Sequence, residues 1–333
     1  MECVIALFYN IETNQNIAMA IIKANMDRER KLRIRKDCIR DIVPIDGFPN
    51  CFSLVRDNSE KELGDFYREE PLTYKTGFRL GSANKTYKYL DYEGFVKTLN
   101  TGLLFKEPSL WPDPYEKKFY NANYNNIDTE FIPHPLYSCC FTTGKETEAS
   151  WKQYAGNSGL SSKVVRILLN YRKFVEFLSQ YATRSNCNIY IGAVTYKYLQ
   201  DEIDGFNTDY KRKSFWLSNF SLNTFLSLLL VKRDAFYNEK EVRFFIVPQK
   251  DTTIGENGKL FVDSSIIWND IIQEVLLCPD STKEEMSYMR WMCKSHGIMC
   301  EVKKSNLNEM HSEIDIFPVT KEESFIADIW DEL

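Results

Sequence analysis

The sequence has few of the residues that build metal sites or disulfide frameworks. Its nine cysteines are an odd number, no two of them form a CxxC pair, and only three histidines are present. Scattered cysteines of this kind are typical of reduced core thiols in an intracellular protein rather than of a disulfide framework or a zinc site. We therefore expect a cytoplasmic protein that contains no metal.

Two further absences narrow the classes of function. Neither a GxGxxG nor a GxxxxGK[ST] glycine loop is present, so the sequence holds neither of the common phosphate-binding loops. The longest strongly apolar run, residues 225–231, is far shorter than the roughly 20 residues that cross a bilayer. The amino terminus also lacks the basic start and the small-residue cleavage site of a signal peptide. We expect no membrane partner.

The composition is that of a protein with a sizeable core. The chain has 333 residues, of which 44% are hydrophobic and 14% aromatic, enough for one large domain or two unequal ones. A net charge of -5 argues against wholesale electrostatic binding to nucleic acid, although a local patch such as the mixed-charge run at residues 28–36 could contact phosphates or a partner.

The arrangement of patterns along the chain predicts its domains and fold class. The polar, turn-rich composition of residues 57–85 predicts a junction or a long surface loop. We therefore predict an N-terminal accessory region at residues 1–80, which recognises a target or partner, and a main domain at residues 81–333. Short strand patterns separated by a few helices follow, without the regular alternation that builds parallel sheets. The main domain is therefore predicted to be α+β, with a central, split antiparallel sheet.

One stretch, residues 236–247, carries the most suggestive chemistry. Aromatic and branched residues predict a β-strand that ends at Pro248. Because side chains alternate along a strand, Glu239, Glu241 and Arg243 are predicted to share one face. A fixed pair of carboxylates can hold a sugar hydroxyl, stabilise an oxocarbenium-like centre or accept a proton. The alternative is a solvated sheet face on which Arg243 pairs with the two carboxylates.

A second stretch, residues 108–116, has one proline directly on each side of Asp113. This pattern predicts a rigid loop rather than a helix or strand. An exposed aromatic and a carboxylate on such a loop are typical of ligand binding, whereas the alternative is a structural turn with Trp111 in the core. Further on, Ser150 and Gln153 fit a capping box that would begin a helix at residues 151–155.

Five short motifs occur in a characteristic order between residues 85 and 303. They are Tyr87-Lys88-Tyr89, Trp111-Pro112-Asp113-Pro114-Tyr115-Glu116, Cys140-Phe141-Thr142, Trp151-Lys152-Gln153-Tyr154-Ala155 and Glu239-Lys240-Glu241-Val242-Arg243. This series resembles a bacterial family called "domain of unknown function 2971", which in turn looks like a distant relative of the ADP-ribosyltransferase-like fold. The chain departs from the family pattern at Pro112, where an asparagine is usual, and at Ser150, where a methionine is usual.

The resemblance implies an activity and a set of roles. It implies transfer of ADP-ribose from NAD, as substrate, to a nucleic acid or protein, as in a toxin or anti-phage defence effector with an antitoxin or sensor partner. By analogy, Lys88 or Tyr89 on the first strand binds NAD, Thr142 lies on the middle strand, and Glu241 is catalytic. Carboxylate stabilisation of the cationic sugar suits Glu241, and Glu239 can deprotonate the acceptor.

The candidate cofactor-binding residues are drawn from the same motifs, and we expect Trp111, Asp113, Thr142 and Trp151 to line one cleft with Glu241. The full set is Tyr87, Lys88, Tyr89, Trp111, Asp113, Thr142, Trp151, Tyr154 and Arg243. The aromatic members could stack on nicotinamide or adenine, although such residues are also common in cores. Two other functions fit the same residues: an NAD glycohydrolase with water as acceptor, and a non-catalytic binding module.

Overall fold

The fold is organised on one large mixed β-sheet, as a computed structural model of the chain shows. The structure describes residues 40–56, 85–121, 135–155, 163–197, 221–262 and 267–308. Within these ranges, eleven strands form a single sheet and two short strands pair separately. The coarse prediction of a chain that mixes helices with a large sheet is confirmed.

The strands are short, as the sequence patterns predict. In chain order they are β1 (Arg40–Pro44), β2 (Cys51–Arg56), β3 (Thr86–Asp91), β4 (Leu103–Lys106), β5 (Tyr137–Thr142), β6 (Val164–Leu169), β7 (Cys187–Ala193), β8 (Thr195–Lys197), β9 (Val231–Arg233), β10 (Glu241–Pro248), β11 (Lys259–Val262), β12 (Ile272–Leu277) and β13 (Glu301–Lys304). Strands β8 and β9 form the separate parallel pair.

Helices lie on both faces of the sheet. They are α1 (Tyr92–Thr101), α2 (Pro114–Tyr120), α3 (Glu148–Gln153), α4 (Tyr171–Arg184), α5 (Leu222–Leu228), α6 (Trp268–Ile271) and α7 (Lys283–Ser295), with 3-10 helices at Pro108–Leu110 and Asp234–Glu239. In the described part of the chain, none of these helices has the length and apolar character needed to cross a membrane.

The strand order is β1-β2-β7-β10-β5-β3-β6-β12-β13, with β4 joining β5 to β11. Most pairings are antiparallel, but β2 runs parallel to β7 and β12 runs parallel to β13. The sheet is therefore mixed, and the predicted antiparallel arrangement holds for most of its strand pairs but not for these two. The physical reason at one edge is a crossover: β12, α7 and β13 follow one another, and a helical connection returns the chain in the same direction.

The centre of the sheet contains a break between β3 and β5. The register that joins these strands consists of one pair, Tyr87 with Thr142, whereas β3 pairs with β6 along its whole length. Beyond that pair, Lys88 fills the gap: its Nζ donates to the Cys140 carbonyl at 2.9 Å and lies 4.9 Å from the Phe141 ring centroid. The two halves of the sheet therefore meet at one backbone pair and one side chain.

The main core lies between the sheet and α4. Phe141 of β5 and Phe244 of β10 are 4.9 Å apart between ring centroids, and Phe174 of α4 packs on them at 5.3 and 5.4 Å. On the opposite face, α5 covers β10, where Phe225 and Phe245 belong to a second buried cluster. Strand β10 is thus buried on both faces, and its odd-numbered side chains point away from α4.

Part of the predicted accessory region packs with the main domain. Residues 40–56 form the hairpin of β1 and β2, and β2 extends the sheet by pairing with β7. The domain boundary predicted at residue 80 therefore does not coincide with an edge of the sheet. The basic run at residues 28–36, and with it the predicted recognition role, lies outside the described residues and stays a prediction.

The aromatic contacts of Phe244 predict a large cost for its removal. Phe244 is fully buried among the three rings that join the sheet to α4. We expect Phe244→Ala to lower the free energy of unfolding by about 3–5 kcal/mol, measured by urea denaturation. Phe261→Ala is the matched control, because Phe261 is 37% exposed and should cost much less. Equal losses in the two variants would contradict this account of the core.

Candidate functional site

The predicted catalytic strand is shorter than expected, and its two glutamates lie on different elements. Residues Asp234–Glu239 form a 3-10 helix, and Lys240 adopts a left-handed conformation, with φ of 44°, before β10 begins at Glu241. The prediction that Glu239 and Glu241 share a strand is therefore wrong. The aromatic residues that suggested a strand instead pack on cations: Phe236 lies 4.8 Å from the Lys232 Nζ.

A buried charged cluster forms where these elements meet. Its members are Glu116, Lys232, Glu239, Glu241 and Arg243. The Lys232 Nζ lies 2.6 Å from Glu239, 3.1 Å from Glu241 and 3.5 Å from Glu116. Arg243 donates to both oxygens of Glu241, at 2.9 and 3.1 Å, and to Glu116 at 3.0 Å. Three carboxylates thus share two cations in the protein interior.

Two members of this charged cluster were missed by the sequence interpretation. Glu116 occurs in the quoted loop motif, but no role was assigned to it. Lys232 directly follows the apolar run 225–231. Because a lysine at the end of a buried segment usually needs a carboxylate partner, this position was the one sequence signal for its role. α2 supplies Glu116 and β9 supplies Lys232, so tertiary packing alone brings them to Glu241.

The electrostatics of the charged cluster keep Glu241 ionised. Burial alone would raise its pKa, but the charges of Arg243 and Lys232 and its hydrogen bond with Arg243 prevail and lower the pKa to about 2. Burial would likewise lower the pKa of Lys232, yet the surrounding carboxylates raise it. For Glu116 the balance is reversed, since burial raises its pKa more than Arg243 and Lys232 lower it. Glu241 is therefore a carboxylate at neutral pH.

Arg243 is held entirely by the protein. Its side chain is 1% exposed, donates to the Leu229 carbonyl at 2.6 Å and lies 4.3 Å from the Trp111 ring centroid. Trp111 is itself buried. In the structure, Arg243 and Trp111 therefore fix Glu241, and the cofactor contacts predicted for them stay a prediction. The ion-paired alternative considered from the sequence is found, but it is buried rather than solvated.

Asp113 also has a structural task. It caps α2 by accepting from the Tyr115 backbone N–H at 2.9 Å, and Pro114 occupies the first helical position. Its other oxygen pairs with Arg233 at 3.0 Å. The prediction of a rigid loop without a helix is therefore wrong for residues 114–116, because proline is well suited to the first turn of a helix.

The candidate residues of three adjacent strands lie in one row across the sheet. Backbone pairing sets Tyr87 of β3 opposite Thr142 of β5, and Thr142 opposite Glu241 of β10. The Thr142 hydroxyl donates to the Glu239 carbonyl, and the Gln153 amide donates to the Glu239 carboxylate at 2.6 Å. The row therefore lies beside the break in the sheet, with Glu239 bonded to residues of β5 and of α3.

A group of aromatic residues lies on the β3 side of this row. Tyr89 contacts Trp151 edge-on at 5.1 Å and stacks on Tyr154 at 5.0 Å between ring centroids. Trp151 is 2% exposed. Helix α3 begins earlier than predicted, because Thr147 rather than Ser150 is its cap. Trp111 and Trp151 thus flank Glu241 on one face of the sheet, but in two separate buried clusters.

Lys88 does not join this group. Neighbouring side chains on a strand point to opposite faces, so Tyr87 and Tyr89 face the row while Lys88 faces α4. Its contacts with Cys140 and Phe141 show this placement. The structure thus places Lys88 on the face opposite to the row, and its predicted contact with NAD stays a prediction.

No family model matches this chain, and no curated protein or solved structure matches it significantly. In the ranges that the structure describes, no cysteine is disulfide-bonded. Those same ranges contain no group of three or more His, Cys, Asp or Glu side chains that could hold a metal ion. The case for a function therefore depends on the geometry of the site.

The charged cluster predicts a strong energetic coupling between Arg243 and Glu241. Arg243→Met would leave the carboxylates of Glu116 and Glu241 buried without their main counter-ion, and we expect it to cost roughly 3–5 kcal/mol in urea unfolding. Adding Glu241→Gln should recover part of this loss, so the double variant should be more stable than the sum of single effects predicts. Strict additivity would contradict the coupling.

A surface ion pair provides the control for this cycle. Lys173 and Glu176 lie 3.1 Å apart with side chains 53% and 44% exposed. Lys173→Met should cost less than about 1 kcal/mol, because water screens exposed pairs. If Lys173→Met lowers the free energy of unfolding as much as Arg243→Met does, burial of the ion pair does not explain the cost of removing Arg243.

The lowered pKa of Glu241 predicts a change in acid stability. Its folded pKa of about 2 lies below the ordinary 4.5, so its stabilisation is complete above pH 4.5 and is lost as pH falls toward 2. The raised pKa of Glu116 acts with the opposite sign. The difference in melting temperature between the unmodified protein and Glu241→Gln should therefore shrink over this window. A constant difference down to pH 2 would contradict the assignment.

Proposed function

We propose that this protein transfers ADP-ribose from NAD to a macromolecular acceptor, with Glu241 as the residue that stabilises the reacting sugar. The observation that carries the proposal is the row Tyr87, Thr142 and Glu241 across three neighbouring strands, beside the break in the sheet. These are the three strands on which the resemblance to ADP-ribosyltransferase-like proteins expects functional residues. Tyr87 takes the first position instead of Lys88 or Tyr89.

The chemistry requires a carboxylate that is charged and fixed. When the bond between nicotinamide and ribose breaks, positive charge develops on the anomeric carbon, and neutral nicotinamide leaves with the bonding electrons. A carboxylate on the adjacent ribose hydroxyl stabilises that charge. The low pKa of Glu241 and its two cationic partners support this role, because they keep the group ionised and oriented. Arg243 and Lys232 are positioning residues in this proposal.

Glu239 is proposed to act on the acceptor. It bonds to Gln153 and Lys232 through its two oxygens, on the turn before Glu241. The acceptor forms the new bond to the anomeric carbon and loses a proton, which Glu239 would take. Its position off the strand supports this separation of tasks, since the two carboxylates approach from different elements.

One observation favours a second candidate, a binding module without turnover. Both oxygens of Glu241 are already paired, one with Arg243 and the other with Arg243 and Lys232. A catalytic Glu241 must bond the ribose hydroxyl while keeping these partners, whereas a structural Glu241 would have no further task. A turnover assay separates the two candidates.

The test is nicotinamide release from NAD, measured alone and with DNA, RNA or cell-extract protein. Release that requires one acceptor, with label transferred to it, is the expected result, and Glu241→Gln should lower its rate about a hundredfold or more. Glu239→Gln should reduce transfer more than hydrolysis. Glu93→Gln is the control, because Glu93 is exposed on α1 and should leave turnover unchanged.

The remaining outcomes assign the other functions. Release without any acceptor would indicate an NAD glycohydrolase. NAD binding without release would favour the binding module. Full activity of a folded Glu241→Gln variant, with an unchanged melting temperature, would refute the proposed role of the residue.

A further inference from the structure

Arg166 is a buried cation for which no described residue provides a counter-ion. It lies on β6, is 8% exposed, and its guanidinium packs 4.3 Å from the Tyr87 ring centroid. Its Nε has no hydrogen-bond partner, and within the described residues no carboxylate forms an ion pair with it. A buried charge is costly unless it is paired and hydrogen-bonded, so this arginine lacks the partner that its burial calls for.

Two acidic residues close to the adjacent Tyr87 have other partners. Glu146 and Glu274 act electrostatically on Tyr87, next to Arg166, but each is engaged elsewhere. Glu146 accepts from the Ser305 hydroxyl at 2.8 Å, and Glu274 lies 3.6 Å from Lys303. Within the described residues, neither carboxylate forms an ion pair with Arg166.

Two more unpartnered donors lie beside it. Among the described residues, neither the buried Tyr89 hydroxyl nor the buried Trp151 indole Nε1 has a partner in good hydrogen-bond geometry, although Arg166 and Ser150 lie close enough to the Tyr89 hydroxyl to oppose the rise in its pKa that burial causes. Tyr89 is the direct neighbour of Arg166 across β3 and β6, and Trp151 lies against Tyr89 with ring centroids 5.1 Å apart. Arg166 also faces Leu276 on β12, which is buried in the same cluster as Tyr89 and Trp151.

These three groups come from β3, α3 and β6 and share one chemistry. Each offers an N–H or O–H to a bond that the protein does not make, and one of them carries a positive charge. Buried polar groups in folded proteins nearly always have a partner, and three such donors together call for an acceptor with negative charge. We propose that Tyr89, Trp151 and Arg166 form a binding site for the phosphate or diphosphate group of a ligand.

The site lies next to the row that contains Glu241. Tyr154 stacks on Tyr89 and is also under the electrostatic influence of Glu239 and Glu241. One ligand could therefore reach both places, with its anionic part at Arg166 and a sugar at Glu241. Identification of the anion as the diphosphate of NAD rests on the proposed function, whereas the anion site itself does not.

The Trp151 indole N–H provides a direct reporter. Its signal in a ¹H–¹⁵N spectrum, identified with Trp151→Phe among the six tryptophans, should shift saturably when pyrophosphate is added to the full chain. Inorganic phosphate should act in the same way at higher concentration. Absence of a saturable shift with either anion would overturn the proposal.

Matched variants establish which residues are responsible. Arg166→Gln should weaken pyrophosphate binding at least tenfold, and Tyr89→Phe, which keeps the ring, should weaken it severalfold. Arg290→Gln removes an exposed arginine of α7 and should change nothing. If pyrophosphate shifts the Trp151 signal equally in Arg166→Gln and in the unmodified protein, the assignment is overturned. If Arg166→Gln does not fold, Tyr89→Phe provides the same test.

Adding NAD in the same experiment distinguishes failure of the anion site from failure of the proposed function. Competition between NAD and pyrophosphate for the Trp151 shift would assign the site to the dinucleotide diphosphate. Pyrophosphate binding without competition by NAD would refute that assignment and leave the anion site in place. Turnover of NAD by a protein whose Trp151 signal never responds to these anions would overturn the anion site and leave the proposed function.

Discussion

The interaction on which the rest of the site depends is the pairing of Arg243 with Glu241 inside the protein. From β10 the guanidinium reaches Glu116 on α2, the Leu229 carbonyl after α5, and the face of Trp111. Each contact satisfies part of a buried charge that would otherwise be costly. One side chain thus fixes three separate segments around β10, and with them the position of Glu241.

The break in the sheet gives this arrangement its setting. Continuous pairing between β3 and β5 would bury the row from Tyr87 to Glu241 within an unbroken surface, but these strands share one backbone pair. The two sides of the break carry different charged residues. Three carboxylates and two cations lie on the β10 side, whereas Arg166 lies on the β6 side, where no described residue forms an ion pair with it. A ligand with a cationic sugar centre and an anionic diphosphate would match both sides, and this complementarity links the two proposals.

The elements could be predicted from the sequence better than the contacts between them. Thr142 ends a strand, as its motif indicates, and the backbone pairing sets it opposite Glu241, whereas Trp151 lies within α3 rather than at its start. The sequence did not show which face of β3 Lys88 would occupy. Alternation along a strand shows that neighbouring side chains point to opposite faces, but not which face holds the ligand. Glu239 was misplaced because aromatic residues that pack on cations look like strand residues. Glu116 and Lys232 reach Glu241 through tertiary packing, which a single sequence does not reveal.

The proposed function requires NAD to bind at Glu241, beside the break in the sheet. The most direct measurement is a crystal structure of the full chain with a non-cleavable NAD analogue. We expect the ribose next to the amide leaving group to lie within hydrogen-bonding distance of the Glu241 carboxylate, with Arg243 still paired to it. A bound analogue that lies away from the break in the sheet, with no contact to Glu241, would contradict the account.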